Sequence, residues 1–177
     1  NSGNSYAVLG PNGIGKSTLL KLLTGFMAPT DGRVYYLDGT KDIDAISWYN
    51  HIAFAAPYMD LFEDLSLKET LDIHFKLKPI RPSTTIAQII SDLGFEGKEN
   101  QQLKFFSSGM KQKLKLAMAL FSNLPIIFLD EPSTNLDQKA RDWYLDIVKA
   151  VADEKLLIIA TNDKNDISFC KNMINLS

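Results

Sequence analysis

Apolar residues along this chain fall into short blocks of two kinds, and the two kinds alternate. Continuous runs at 6–9, 126–129 and 156–160 are of strand length. The last two are apolar throughout, as strands buried on both faces are. Segments 33–37, 52–56 and 173–176 are weaker strand candidates. Between them lie longer stretches with apolar residues at helical spacing: Lys16–Thr24, Leu67–Leu77, 84–93, 108–121 and 139–152. Leu67, Leu71 and Phe75 share one face of the second; Trp143, Ile147 and Val148 share one face of the last. Strands separated by helix-length amphipathic stretches predict an α/β fold, a mostly parallel sheet flanked by helices. Segment 57–106 departs from this pattern. It has helical periodicity and no strand, and Pro79 and Pro82 break it in the middle. It is expected to be a helical subdomain inserted into a core made of 1–56 and 107–177. Ala28-Pro29-Thr30-Asp31-Gly32 is a turn, with proline presetting φ and glycine supplying a positive φ.

The loop after the first strand carries the strongest chemical signal. Gly10-Pro11-Asn12-Gly13-Ile14-Gly15-Lys16-Ser17-Thr18 fits G-x-x-x-x-G-K-[ST] and stands between an apolar strand and a helix start. Glycines allow the backbone to wrap closely around an anion. Backbone N–H groups of the loop and of the helix's first turn then point at phosphates. Lys16 adds a mobile positive charge, and the Ser17 hydroxyl is placed to ligate Mg²⁺. The chain therefore reads as a P-loop NTPase.

A second signal completes the site. The apolar strand 126–129 runs into Asp130-Glu131-Pro132. In open α/β sheets ligands bind beyond the carboxyl ends of the strands. Asp130 belongs beside the phosphate loop, where it can hold Mg²⁺ directly or through water. Glu131 can polarise an attacking water.

Composition narrows the rest. The 177 residues suit one domain with a small subdomain, and 45% hydrophobic residues are enough for a core. Lys+Arg of 19 against Asp+Glu of 21 gives 19 − 21 = −2, so no basic excess points to nucleic acid. The one cysteine, Cys170, has no internal partner and fits a reducing compartment as a small core residue. No run is long enough to span a bilayer. The chain begins with Asn1 and is expected to be a domain cut at both ends. His51 and His74 are isolated, with no zinc spacing around them. Trp48 and Tyr49 precede a strand and are expected to pack. Lys111, Lys113 and Lys115 recur at every second position, so they splay around a helix.

Taken in order, these motifs resemble the ATP-binding cassette (ABC) family of ATPases over nearly the whole chain. Phe106-Ser107-Ser108-Gly109-Met110-Lys111-Gln112-Lys113 looks like the family signature LSGGQ-x-Q-[RK], opening a helix with Ser107 as N-cap. Ser133-Thr134-Asn135-Leu136-Asp137 looks like the D-loop, and the stretch 26–39 is similar to the family's glycine-punctuated passage after the first helix. The resemblance implies a head-to-tail sandwich of two such domains. ATP would lie between one phosphate loop and the other domain's Ser107, Gly109 and helix N-terminus. It also implies a transmembrane transporter subunit as partner, and a cytoplasmic location at the inner face of the cell membrane.

The chain departs from the family pattern in four places. Ser108 and Met110 replace a glycine and a glutamine of the signature. Pro57 or Tyr58 falls where the Q-loop glutamine is expected. Asn162 stands in place of the switch histidine; it can donate a hydrogen bond to a γ-phosphate but cannot be protonated there. The adenine-stacking aromatic is missing. The expected function is an ATP-binding and ATP-hydrolysing transporter subunit. Two alternatives stand beside it. One is a cytosolic ABC protein acting on the ribosome or nucleic acid; the other is a nucleotide-gated module with little turnover.

Overall fold

Five short parallel strands build the frame that carries every motif above. The computed structural model describes residues 3–177; residues 1 and 2, with which the expected core segment 1–56 begins, lie outside the described residues. In chain order the strands and α-helices are β1 Ser5–Leu9, α1 Lys16–Thr24, β2 Tyr36–Asp38, β3 Lys41–Ile43, β4 Ile52–Ala55, α2 Leu67–Leu77, α3 Ile86–Leu93, α4 Ser108–Leu120, β5 Ile126–Asp130, α5 Gln138–Ala152, β6 Leu156–Ala160 and β7 Asn172–Asn175. The main sheet has the order β4-β5-β6-β1-β7 and is parallel at every pairing. The fold is α/β, a P-loop NTPase sheet flanked by helices.

The apolar runs 126–129 and 156–160 become the two central neighbours β5 and β6. Every residue of β5 is buried, which is why its sequence shows no alternation. One core layer packs Leu116, Leu120, Tyr144 and Val148 from α4 and α5 on one face of the sheet. Another packs Leu20 of α1 with Val8, Phe128 and Ile158 on the opposite face. A separate cluster of Leu67, Leu71, Ile89, Leu93, Phe95, Phe106 and Leu114 joins α2 and α3 to one face of α4.

Two parts of the pattern come out differently. Segment 33–37 is not a strand of the main sheet. A short β2 pairs antiparallel with β3 around Gly39, as a separate two-stranded ribbon. A 3₁₀ turn at Ala45–Asn50 precedes β4; it buries Trp48 but leaves Tyr49 63% exposed, so only the tryptophan packs as expected. The other predicted elements stand with ends shifted by one or two residues. No described helix is long and apolar enough to cross a membrane.

The segment that carries α2 and α3 is ordered by polar bonds, several of them to α4, as well as by this cluster. Ser66 and Glu69 form a capping box at the start of α2. The Lys111 ammonium pairs with Glu63 at 2.5 Å. Lys113 donates to the Leu93 carbonyl at 2.8 Å, and Lys115 to the Pro57 carbonyl at 2.7 Å. The three lysines do splay around α4, and each ends on a different part of the insertion.

His74 of α2 is half-buried and bonded within the fold. Its Nε2 lies 3.0 Å from the Met118 carbonyl and 3.1 Å from the Ser122 hydroxyl. Burial pulls its pKa down from 6.5 to about 4; the Met118 bond opposes this, and the Lys78 charge adds to it. Because the folded pKa lies below the unfolded one, the neutral ring's stabilisation is complete above pH 6.5 and is lost as pH falls toward about 4. Thermal unfolding across that window should show a falling Tm, and His74→Gln should flatten that fall. An unchanged slope in the variant would remove His74 as its source.

Candidate functional site

The carboxyl ends of β1, β5 and β6 face the same edge of the sheet, since the three strands are parallel and adjacent in the order β5-β6-β1. Residues 10–18 leave β1 there and turn into α1. Gly10 sits at φ +153°, and a Cβ on it would meet Ile14 Cγ2 at 2.9 Å and the Leu176 carbonyl at 3.0 Å. Only glycine fits that close approach. No side chain caps the start of α1. The first-turn N–H groups of Lys16, Ser17 and Thr18 thus have no partner within their own helix and suit an anion. Lys16 is only 7% exposed, and its ammonium donates to the Gly10 carbonyl at 2.8 Å and to Pro11 at 3.4 Å. The cation lies across the loop that it belongs to, where a phosphate oxygen would compete for it.

Asp130 ends β5 at the same edge. It is 1% exposed, and neither of its carboxyl oxygens has a hydrogen-bond partner among the described residues. Oxygen atoms buried in this way suit a cation. The described residues contain no cluster of three or more His, Cys, Asp or Glu that could form a protein-only cage. Mg²⁺ usually takes one or two protein oxygens and completes its shell with phosphate and water. Ser17, in the first turn of α1, is the other protein oxygen in the expected set.

Glu131 follows with φ +42°, a left-handed conformation rarely taken by a side chain of this kind. Its N–H is held by the Ala160 carbonyl at 2.8 Å, and its carbonyl by the Thr134 N–H at 3.1 Å. Strain of this sort gathers at functional sites. Burial raises the Glu131 pKa; Lys16 opposes the rise, the Asp130 charge adds to it, and bonds from the Asn162 N–H and the Thr161 hydroxyl oppose it again. A carboxylate made more basic is better suited to taking a proton from water.

Asn162 leaves β6 beside the loop and donates from Nδ2 to the Asn12 side-chain oxygen at 2.5 Å. The residue at the switch position therefore touches the phosphate loop directly. Tyr58, which with Pro57 is one of the two residues expected at the Q-loop position, has its ring beneath the Lys21 ammonium at 4.2 Å. Burial, with the Asp130 carboxylate beside it, pushes its hydroxyl above the ordinary tyrosine range.

Ser107 and Gly109 stand apart from this cluster, at the start of α4. Ser107 caps that helix by accepting from the Met110 N–H at 3.2 Å. A Cβ on Gly109 would meet the Asn135 carbonyl at 2.6 Å, so the signature and the segment after Glu131 touch backbone to backbone. Loop, Asp130, Glu131 and Asn162 meet at one edge; Ser107 and Gly109 form a second face. Two buried polar residues near Glu131, Thr161 and Asp166, were not singled out by any motif.

Comparison with known proteins identifies the family. The family model described as ABC transporter matches residues 1–134. The daunorubicin/doxorubicin resistance ATP-binding protein DrrA of Streptomyces peucetius is 31% identical over 93% of this chain and 51% of its own length. ABC transporter A family member 1 of Dictyostelium discoideum is 30% identical over 97% of this chain and 20% of its own length. The chain thus spans between a fifth and about half of these curated relatives. Among solved structures, a putative ABC transporter ATP-binding protein from Pyrococcus furiosus superposes with a TM-score of 0.79 at 25% identity, covering 99% of this chain and 85% of that one. A bacterial ABC transporter cassette solved as a dimer gives 0.81 at 25% identity, covering 99% and 82%. The chain belongs to the ABC transporter family.

Proposed function

We propose that this chain is the ATP-binding and ATP-hydrolysing part of an ABC transporter, with 57–106 as its helical subdomain and 1–56 with 107–177 as its ATPase core. It pairs head-to-tail with a second such domain around Mg·ATP and drives a membrane-embedded subunit from the cytoplasmic face. The observation that carries this is the meeting of a glycine-rich helix N-terminus, Lys16, the unpartnered Asp130 and the strained Glu131 at one sheet edge.

The roles follow from position. Backbone N–H groups of 10–18 and the Lys16 ammonium hold the β- and γ-phosphates. Asp130 and the Ser17 hydroxyl would hold Mg²⁺, which supplies charge neutralisation at the phosphate oxygens. Glu131 orients water and takes its proton. Asn162 exchanges Asn12 for a γ-phosphate oxygen, donating a hydrogen bond without changing charge. Ser107 and Gly109 offer a second domain's nucleotide a hydroxyl and a helix N-terminus. A groove of about 460 Å³ between core and subdomain, with exposed Phe26, Ile46 and Tyr49 on its rim, is the surface we assign to the membrane subunit. The retained Glu131 favours turnover over a pure nucleotide switch.

Mg·ATP hydrolysis by the protein and by Glu131→Gln tests this. Turnover should fall at least about a hundredfold in the variant while an ATP-dependent dimer accumulates. A parent that binds ATP and dimerises without turnover would make it a switch. Gly109→Ala should push the Asn135 carbonyl away, cost about 1–3 kcal/mol in denaturant unfolding, and weaken ATP-dependent association. Parental stability and association in that variant would mean that the backbone contact is not limiting.

A further inference from the structure

Asp166 is 0% exposed, although it lies outside every motif discussed above. One of its oxygens, Oδ2, accepts from the Ser133 hydroxyl at 2.8 Å and from the Thr161 hydroxyl at 3.0 Å. The other, Oδ1, has no partner among the described residues. A buried carboxyl left half-satisfied costs stability, and such costs are found where function needs them. The two residues it grips are themselves fully or nearly buried, and both adjoin Glu131. Ser133 is 6% exposed and follows Glu131 by two positions in the chain. Thr161 is 0% exposed, directly follows β6, the neighbour of β5, and has its Oγ1 3.4 Å from Glu131 Oε2.

Thr161 has one hydroxyl proton and two acidic claimants. The contact to Asp166, at 3.0 Å, is shorter than the one to Glu131, at 3.4 Å, and the geometry gives the proton to Asp166. Thr161 also accepts from the Asp163 N–H at 3.0 Å, which fixes the rotation of its hydroxyl. Beside the bond from the Asn162 N–H, Glu131 then keeps carboxylate lone pairs that the Thr161 hydroxyl does not consume, which is what a base acting on water requires. At the same time the Ser133 bond steadies the chain just after the strained φ of Glu131.

We infer that Asp166 is a positioning residue for Glu131, acting on its side chain through the Thr161 hydroxyl and on its backbone through Ser133. This rests on the ATPase reading above. Asp166 is wholly buried and reaches Glu131 only through these two residues; it sets where the Glu131 carboxylate stands and how free it is.

The test uses Thr161→Val, Asp166→Ala and Asp166→Asn, with Mg·ATP turnover, KM for ATP and Tm measured beside the parent. Thr161→Val and Asp166→Ala should each lower kcat by about tenfold to a hundredfold, with KM unchanged. Asp166→Asn keeps an acceptor oxygen for both hydroxyls and should recover most of the loss. The double variant of Thr161→Val and Asp166→Ala should be no slower than the slower single one, since both break one path. If Asp166→Ala does not fold, Thr161→Val decides alone. Parental kcat in Thr161→Val, or kcat and KM worsening together in step with Tm, overturns the inference and leaves the ATPase reading standing. A parent without turnover overturns both.

Discussion

A carboxyl group wholly out of water, with no donor in full hydrogen-bond geometry on either oxygen and the Tyr58 hydroxyl beside it, is the constraint around which this molecule is arranged. Asp130 is in that position at the end of the interior strand β5. In a sheet of apolar strands such a group has a large desolvation cost, which a cation or donor from outside the protein can offset. The parallel order places the phosphate loop two strands away, at the same edge, with Lys16 folded across it. The site is thus an arrangement of separated charges that a metal-bound polyphosphate would bring together.

What surrounds that edge ties it to the rest of the chain. Glu131 turns through a left-handed φ, and the segment beyond it runs beneath the signature helix until Asn135 meets Gly109. The same helix sends Lys111, Lys113 and Lys115 to three points of the helical insertion. One of those points is the Pro57 carbonyl, next to Tyr58, whose hydroxyl feels the charge of Asp130. The phosphate edge is thus in contact with α4 at Gly109 and, by way of Tyr58, lies next to the Pro57 carbonyl that Lys115 holds.

Much of this could be read along the chain, for physical reasons that differ by element. Strands β5 and β6 were legible because burial on both faces leaves no polar position in the run. The loop 10–18 and the acids 130–131 were legible because phosphate chemistry demands those residue types at that spacing. The ribbon 36–43 was not: its strands are three residues each and mostly exposed, so no burial pattern marks them. Tyr49 and Trp48 are adjacent and equally apolar, and only the tight turn decides which one faces inward. Asp166 was invisible for a different reason. Its partners lie 33 and 5 residues away, and an acid after a strand reads as solvated until the fold closes over it.

The central claim is that the loop closed by Lys16 is a nucleotide phosphate site. Calorimetric titration of ATP into the protein and into Lys16→Ala tests it most directly. The account predicts saturable binding by the parent that is lost in the variant while its Tm is kept. An absence of binding by the parent, or equal binding by both, would contradict it.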